Sequence, residues 1–361
     1  MQKIARWALA AAALAAAPLP AQEWTTNDPV LRAIWEEGTQ RSRLEPLAQA
    51  LLDSIGPRLT ASPGMMAAQD WLVHTYGQWG IQARNERYGT WRGWRRGYTH
   101  VDLLTPRVRT LESTMLAWSP GTSAPVEAGV VILPDVADSL AFRAWLPSVR
   151  GKFVMISFPQ PTCRPNDNWE RWAVPAEWER YRTERDSAAV RWTRRVGRTG
   201  LTGQTLPPAL EQAGALGILT SLWSQGWGVD KVFQARTRTV PTVDLSCEDY
   251  GLVYRLAENA DNPTLRIDTR AEFTGDEVPV SNTIAEVRGA TKPDEYIMLS
   301  AHFDSWESSS GATDNGTGTV VMMEAMRILR QVYPRPNRTI LVGHWSGEEQ
   351  GLNGSRAFSE D

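Results

Sequence analysis

Apolar side chains recur along this chain in three successive textures. The first runs to about residue 120. Between Asp28 and Ile55, Leu31, Ile34, Trp35, Leu47, Ala50, Leu51 and Ile55 recur at helical spacing, and Pro46 is the expected point of division into two helices. Ser62-Pro63 joins an N-cap hydroxyl to a first-turn proline, and Ala68, Trp71, Leu72, Thr75, Tyr76 and Trp79 then share one helical face up to Gly80. Ile81 to Tyr88 and His100 to Leu104 read as strands. The aromatic and basic run Trp91-Arg-Gly-Trp-Arg-Arg-Gly97 between them reads as a solvated hairpin tip, with contact to an acidic ligand as the other option.

A second texture begins near Gly121. Val130 to Leu133 and Phe153 to Ser157 are short apolar runs of the kind that form buried strands. A helix at Leu210 passes through small residues into another strand. Thr239 to Ser246, Leu252 to Ala257 and Thr264 to Phe273 complete a compact α/β unit with no His, Cys or acid cluster at metal-ligand spacing. Within it, Arg164 to Arg198 mixes acids and arginines with Trp169, Trp172, Trp178 and Trp192, a pattern that predicts a solvated helical surface.

From Val280 the third texture alternates regularly. Ile284 to Arg288 and Tyr296 to Ala301 are strands, Val320 to Gln331 a helix with Val320, Met323, Ala325, Met326 and Leu329 available for packing, and Arg338 to Trp345 a further strand. The alternation predicts an α/β fold: a mostly parallel mixed sheet with flanking helices. Ligands of such sheets bind beyond the carboxyl ends of the strands.

Composition narrows the partners. A chain of 361 residues has room for two domains, or one large domain with an insertion, and a net charge of −3 offers no basic field for nucleic acid. Lys3 and Arg6, the apolar run Trp7 to Ala17 and Pro18-Leu-Pro-Ala21 have the layout of a secretory signal over residues 1–21, too short to span a bilayer. No later run reaches the length of a membrane span. The expectation is an exported protein, periplasmic or secreted, without a stable membrane span. Cys163 and Cys247 are an even pair that export would allow to bond; the sequence leaves the pairing open. The seventeen tryptophans are read mainly as packing.

The chemistry concentrates near the C-terminal end. His302 follows an apolar strand, with Asp304 two residues on. A neutral imidazole is a good zinc ligand, and a carboxylate commonly orients its other nitrogen. Asp314 lies in Gly311-Ala-Thr-Asp-Asn-Gly316, where glycines allow a carboxylate to be aimed into a cleft and to bridge two metals. Glu348-Glu349 follows a buried strand in a Gly-Glu-Glu-Gln-Gly turn. Neighbouring acids there need cations or protons. One can bind metal while the other takes a proton from water. Each piece alone has a plainer explanation as a satisfied histidine, a turn or an exposed acidic loop. His74, His100 and His344 read as structural.

Taken together, His302-Phe-Asp304-Ser, Gly311-Ala-Thr-Asp314-Asn-Gly and Gly347-Glu348-Glu349-Gln-Gly-Leu-Asn-Gly-Ser355 resemble metallopeptidase family 28, the co-catalytic zinc aminopeptidases and glutamate-carboxypeptidase-like enzymes, from about Ser281 to Phe358. Ser54-Ile-Gly-Pro-Arg-Leu-Thr-Ala-Ser-Pro-Gly64 resembles the opening of these enzymes. The stretch from about Gly121 to Phe273 is similar to the protease-associated domain inserted in many members. The resemblance implies residues 22–120 as the start of a zinc-exopeptidase-like domain, 121–275 as the smaller inserted domain and 276–361 as the catalytic part. It implies that His302 binds one ion, Asp314 bridges two through a segment with an unusual peptide bond to Asn315, Glu349 binds the other ion, Glu348 is the general base and Asp304 orients His302. Two zinc ions are the implied cofactor and a peptide the implied substrate. The family's remaining Asp and His ligands lie downstream of the Glu-Glu turn, so the sequence ending at Asp361 is read as truncated, with an incomplete sheet and site. The reading is an exopeptidase, aminopeptidase first. A carboxypeptidase or other amidohydrolase is second, and a non-catalytic receptor on the same scaffold is the rival.

Overall fold

The computed structural model describes residues 26–226 and 229–360; the signal-segment reading of residues 1–21 lies outside them. Helix α1 (Pro29–Gln40) starts where the Asp28 carboxylate accepts the amides of Val30 and Leu31. Helix α2 (Leu44–Ala48) runs on through a wider turn, Gln49–Ile55, to Gly56. Pro46 does not divide the helices, as the sequence had suggested: it sits in the first turns of α2, where a missing amide is harmless. The break falls at residues 41–43, where the chain is bent by bonds to a buried ion cluster. Arg327 donates to the Arg41 carbonyl at 3.2 Å, and the Arg43 amide donates to Glu324 at 3.0 Å. Helix α3 (Pro63–Gln78) begins as predicted, with Ser62 Oγ accepting the Met65 amide.

The strands then run β1 (Gln82–Thr105), β2 (Arg109–Leu111), β3 (Ser113–Met115), β4 (Val126–Ile132) and, after α4 (Ser139–Trp145), β5 (Phe153–Met155). Helices α5 (Asn166–Trp172), α6 (Pro175–Arg198) and α7 (Leu206–Gln212) precede β6 (Gly217–Thr220), the small pair β7 (Trp223–Gly226) and β8 (Val229–Asp230), and β9 (Thr242–Leu245). Helix α8 (Cys247–Glu258), β10 (Thr264–Val287), β11 (Lys292–His302), α9 (Thr317–Val332), β12 (Arg338–Trp345) and α10 (Asn353–Glu360) complete the chain.

The run Trp91–Gly97 is not a hairpin tip. It lies inside β1, which pairs antiparallel with β10 from Gln82↔Glu286 to Thr105↔Thr264. Its side chains explain the difference. Trp94 is fully buried and donates to the Ser119 carbonyl at 2.9 Å, while the guanidinium of Arg92 lies 3.7 Å from the centre of the Phe273 ring. The register shifts on either side of Gly93, and beyond it Trp94 turns inward while Arg95 is exposed.

The sheet is mixed and has ten strands, eight of them in one path, β11-β12-β10-β4-β5-β6-β9-β3, while β1 pairs with β10 and β2 with β1. Parallel pairing joins β11 to β12 and runs through β4, β5, β6 and β9. It is less dominant than the sequence suggested, because the two longest strands pair antiparallel. Strand β10 meets β12 over residues 283–287 and β4 over 264–267, so one strand serves two layers end to end.

Each end has its own core. Leu51, Met65, Leu72, Tyr76, Phe303, Met323 and Val342 pack between the sheet and helices α3 and α9 at one end. Val101, Leu103, Phe153, Leu219, Val243, Leu265 and Ile267 pack at the other. The charged insertion forms α5 and α6; Tyr181 is the buried residue of α6, stacked on Trp169 with ring centres 4.7 Å apart. Cys163 and Cys247 are disulfide-bonded, tying the segment before α5 to the start of α8 across 84 residues.

Candidate metal centre

Strands β11 and β12 end side by side, with Ala301 opposite His344 and His302 opposite Trp345. The chain beyond each carboxyl end turns into the same cleft. Residue 302 is half-buried, and its ring is fixed from both sides. Nδ1 lies 3.1 Å from the carbonyl of Asp304, which can only accept, so Nδ1 carries a proton. Nε2 lies 2.9 Å from Asp314 Oδ1 and 3.9 Å from Glu348 Oε2. Thr319, in the first turn of α9, donates to the His302 carbonyl at 3.1 Å and anchors the strand end.

Asp304 is fully buried. Its carboxylate stands 3.7 Å from His302 Nδ1, and its stronger engagement is with the Glu-Glu turn. Oδ1 accepts the Glu348 amide and Oδ2 the Glu349 amide, each at 3.1 Å. A single side chain thereby links the histidine to both acids.

Asp314 projects from the turn Ala312–Gly316, and the peptide bond to Asn315 is cis. The Asp314 side chain is 73 % exposed. The turn's approach is set by Gly311, which has a positive φ of 59° and lies so close to Ser305 that a Cβ would overlap it. Asn315 Oδ1 accepts the Gly318 amide at 3.2 Å at the start of α9.

Two residues that sequence reading gave no role hold this frame. Arg58 is fully buried. Its guanidinium donates to the carbonyls of Phe303, Gly56 and Ser310, each at 2.8 Å, and of Gly311 at 3.2 Å. Burial pulls its pKa down to about 10, against the charge of Asp304. Trp306 stands beside the Glu349 carboxyl, whose pKa it helps to lower, and meets Trp118 edge to face, with centroids 6.2 Å apart. An arginine alone in the apolar run Ile55-Gly-Pro-Arg58-Leu59 was a visible signal; nothing in the sequence pointed to Trp306.

The electrostatics are those of a cation site. Burial raises the Glu349 pKa to about 7, reinforced by the carboxylates of Asp314 and Asp304 and only partly relieved by His302 and Trp306. Burial opposes charging of His302, yet Asp304, Glu348 and Asp314 outweigh it and lift its pKa to about 9. The imidazolium is thus the positive charge among these acids, and its Nε2 proton occupies the gap toward Asp314. A metal about 2 Å from each donor would hold them little further apart than this. One imidazole nitrogen with carboxylate oxygens suits zinc. Among the described residues, no three His, Cys, Asp or Glu side chains close around a single point.

The other histidines stand apart. His344 is fully buried in the first core, with Nε2 2.8 Å from the Tyr76 hydroxyl, and burial lowers its pKa to about 3. His74 and His100 are exposed, beside Gln78 and Asp102.

A mixed sheet thus places a histidine and acids beyond the carboxyl ends of β11 and β12. The profile of Peptidase family M28 matches residues 282–361. Carboxypeptidase Q from Mus musculus is 26% identical over 310 residues, covering 86% of this chain and 59% of the mouse protein. A glutamate carboxypeptidase 2 homolog from Caenorhabditis elegans is 41% identical over 86 residues, 23% of this chain and 11% of that protein. In fold, the chain is similar to the crystal structure of a peptidase M28 precursor from Shewanella amazonensis, with a TM-score of 0.63 and 23% identity, covering 92% of this chain and 69% of that one. It is also similar to a zinc aminopeptidase from Bacillus subtilis, with a TM-score of 0.52 and 18% identity, covering 88% and 64%. The chain thus spans about three-fifths of the length of the curated carboxypeptidase relatives.

Proposed function

We propose that this chain builds part of the centre of an exported, zinc-dependent exopeptidase that hydrolyses peptide bonds next to a free terminus, with aminopeptidase action as the first reading. The observation that carries it is the convergence of His302, Asp314 and Glu348, with Glu349 and Asp304 held beside them. His302 would hold one ion, Asp314 would bridge two, and Glu349 would hold the second. Bound zinc supplies polarisation of the scissile carbonyl and acidification of water. Glu348 takes the proton from the attacking water and passes it to the leaving amine. The Nδ1 bond of His302 to the Asp304 carbonyl leaves Nε2 as its coordinating atom. Through its two amide bonds, Asp304 holds Glu348 and Glu349 at a fixed offset from that nitrogen.

Carboxypeptidase action is the second reading, supported by the similarity to Carboxypeptidase Q along 86% of the chain. The disulfide supports the export reading, since such bonds persist in oxidising compartments. No helix among the described residues is long and apolar enough to cross a membrane. The resemblance noted over residues 121–275 supports reading that unit as an inserted protease-associated domain.

The test is hydrolysis by the full-length protein, with zinc or with chelator, of a tripeptide, its N-acetyl form and its C-terminal amide. Loss of turnover on N-acetylation identifies an aminopeptidase, and loss on amidation a carboxypeptidase. Zinc-loaded protein that cleaves none of the three refutes the exopeptidase reading.

A further inference from the structure

A cavity of about 500 Å³ opens directly on the candidate centre, and its walls come from both ends of the molecule. Asp314, Glu349 and Trp306 line it from the side of the centre, and Lys231 and Phe233 from the segment after β8. The volume suits a short peptide. Lys231 and Phe233 also line a second cleft of about 710 Å³, which lies outside the carboxyl ends of β5 and β6. The two clefts therefore meet at these two residues.

The segment that carries them is anchored. The Lys231 amide donates to the Leu222 carbonyl at 2.9 Å, and the Phe233 carbonyl accepts the Ala117 amide at 3.0 Å. Val232 is buried, and the Phe233 ring meets Trp306 edge to face with centroids 5.3 Å apart. Charge is distributed unevenly along the cavity. Acids crowd the end at Asp314 and Glu349. Glu307, which also lines it, is paired with Arg96 at 3.6 Å. Lys231 has no ion-pair partner among the described residues, and it is the cavity's one lysine or arginine.

We infer that Lys231 is a substrate-binding residue that receives the free α-carboxylate of a short peptide, with Phe233 and Trp306 forming the apolar wall beside it. The inference rests on the exopeptidase reading and deepens it. It names as substrates peptides whose free carboxylate lies within a residue or two of the scissile bond, and it gives the second unit a part in choosing them. A charge-assisted pair contributes about tenfold in affinity.

Binding can be tested apart from turnover. In full-length, zinc-loaded protein carrying Glu348→Gln, calorimetry measures the Kd of leucyl-alanine and of its C-terminal amide. With Lys231 present, the free acid should bind about tenfold more tightly than the amide. In Lys231→Ala that preference should collapse to within about twofold, and Lys231→Arg should restore it. A parent with no preference for the acid overturns the proposal. So does a Lys231→Ala variant that keeps more than a third of the preference. Failure of the protein with Glu348 intact to hydrolyse any peptide would instead refute the exopeptidase reading, and the binding ratios would still decide the role of Lys231.

Discussion

Strands β1 and β10 form one antiparallel ladder that carries two different kinds of structure at its two ends. At the β12 end, the strands beside it finish in acids, a histidine and glycine turns, and the core beneath is closed by α3 and α9. At the β4 end, the parallel strands β5 and β6 finish in serines and apolar residues, with no cluster of metal-ligand type among the described residues. At both ends a cleft opens beyond the parallel strand ends, the place where ligands of such sheets bind. They differ in what is gathered. One end concentrates charge that needs a cation, and the other offers an aromatic wall and a single ammonium. The comparison teaches that chemistry and selection can be divided between two cores that share their longest strands.

The sharpest way to break the comparison is at the base. In the full-length enzyme, Glu348→Gln should lower kcat by about a thousandfold while zinc content, read by metal analysis, stays at the parental level. Retained turnover would remove Glu348 from its role. A smaller effect, on stability, should follow Arg58→Ala. The change strands the carbonyls of Phe303, Gly56, Ser310 and Gly311, at a cost of about 3 kcal/mol read by denaturant unfolding. If the first core alone depends on Arg58, probes of the second core should unfold at unchanged denaturant. A third effect is on pH. Burial holds the His344 pKa near 3 in the folded protein, against an ordinary value of 6.5. The unfolded chain therefore takes up a proton first as pH falls, and stability is lost progressively from about 6.5 toward 3. Thermal melts should decline by a few degrees over that window. A His344→Asn variant should lose part of that slope; an unchanged slope would place the acid sensitivity elsewhere.

What the sequence made legible follows from how local the signals were. The motifs around His302, Asp314 and Glu348 are short and rigid, so their residues fall into one cleft as their order suggested. The capped start at Ser62-Pro63 and the alternation after Val280 likewise depend on neighbours in sequence. The misreadings concern partners far along the chain. Trp91 to Gly97 looked like a polar tip because its strand partner, Ala271 to Val278, lies well over a hundred residues away. Pro46 looked like a helix divider because the bonds that bend residues 41–43 come from Glu324 and Arg327. The carboxylate of Asp304 could be placed near His302 by spacing, but its hold on two backbone amides across 44 and 45 residues left no local trace. Trp306 and Lys231 escaped notice for the same reason: each matters through a surface contributed by the other end of the molecule.

The ladder of β1 and β10 slips register between Arg87 and Gly89, and again between Trp91 and Trp94, midway between the two cores. There Gly93 lies so close to Thr274 and Val278 that no larger residue fits without displacing them. Bulges increase the local twist of a strand pair, so this stretch acts as a set-screw on the angle between the halves. The two cores are therefore joined through residues that do not line the cavity beside the centre.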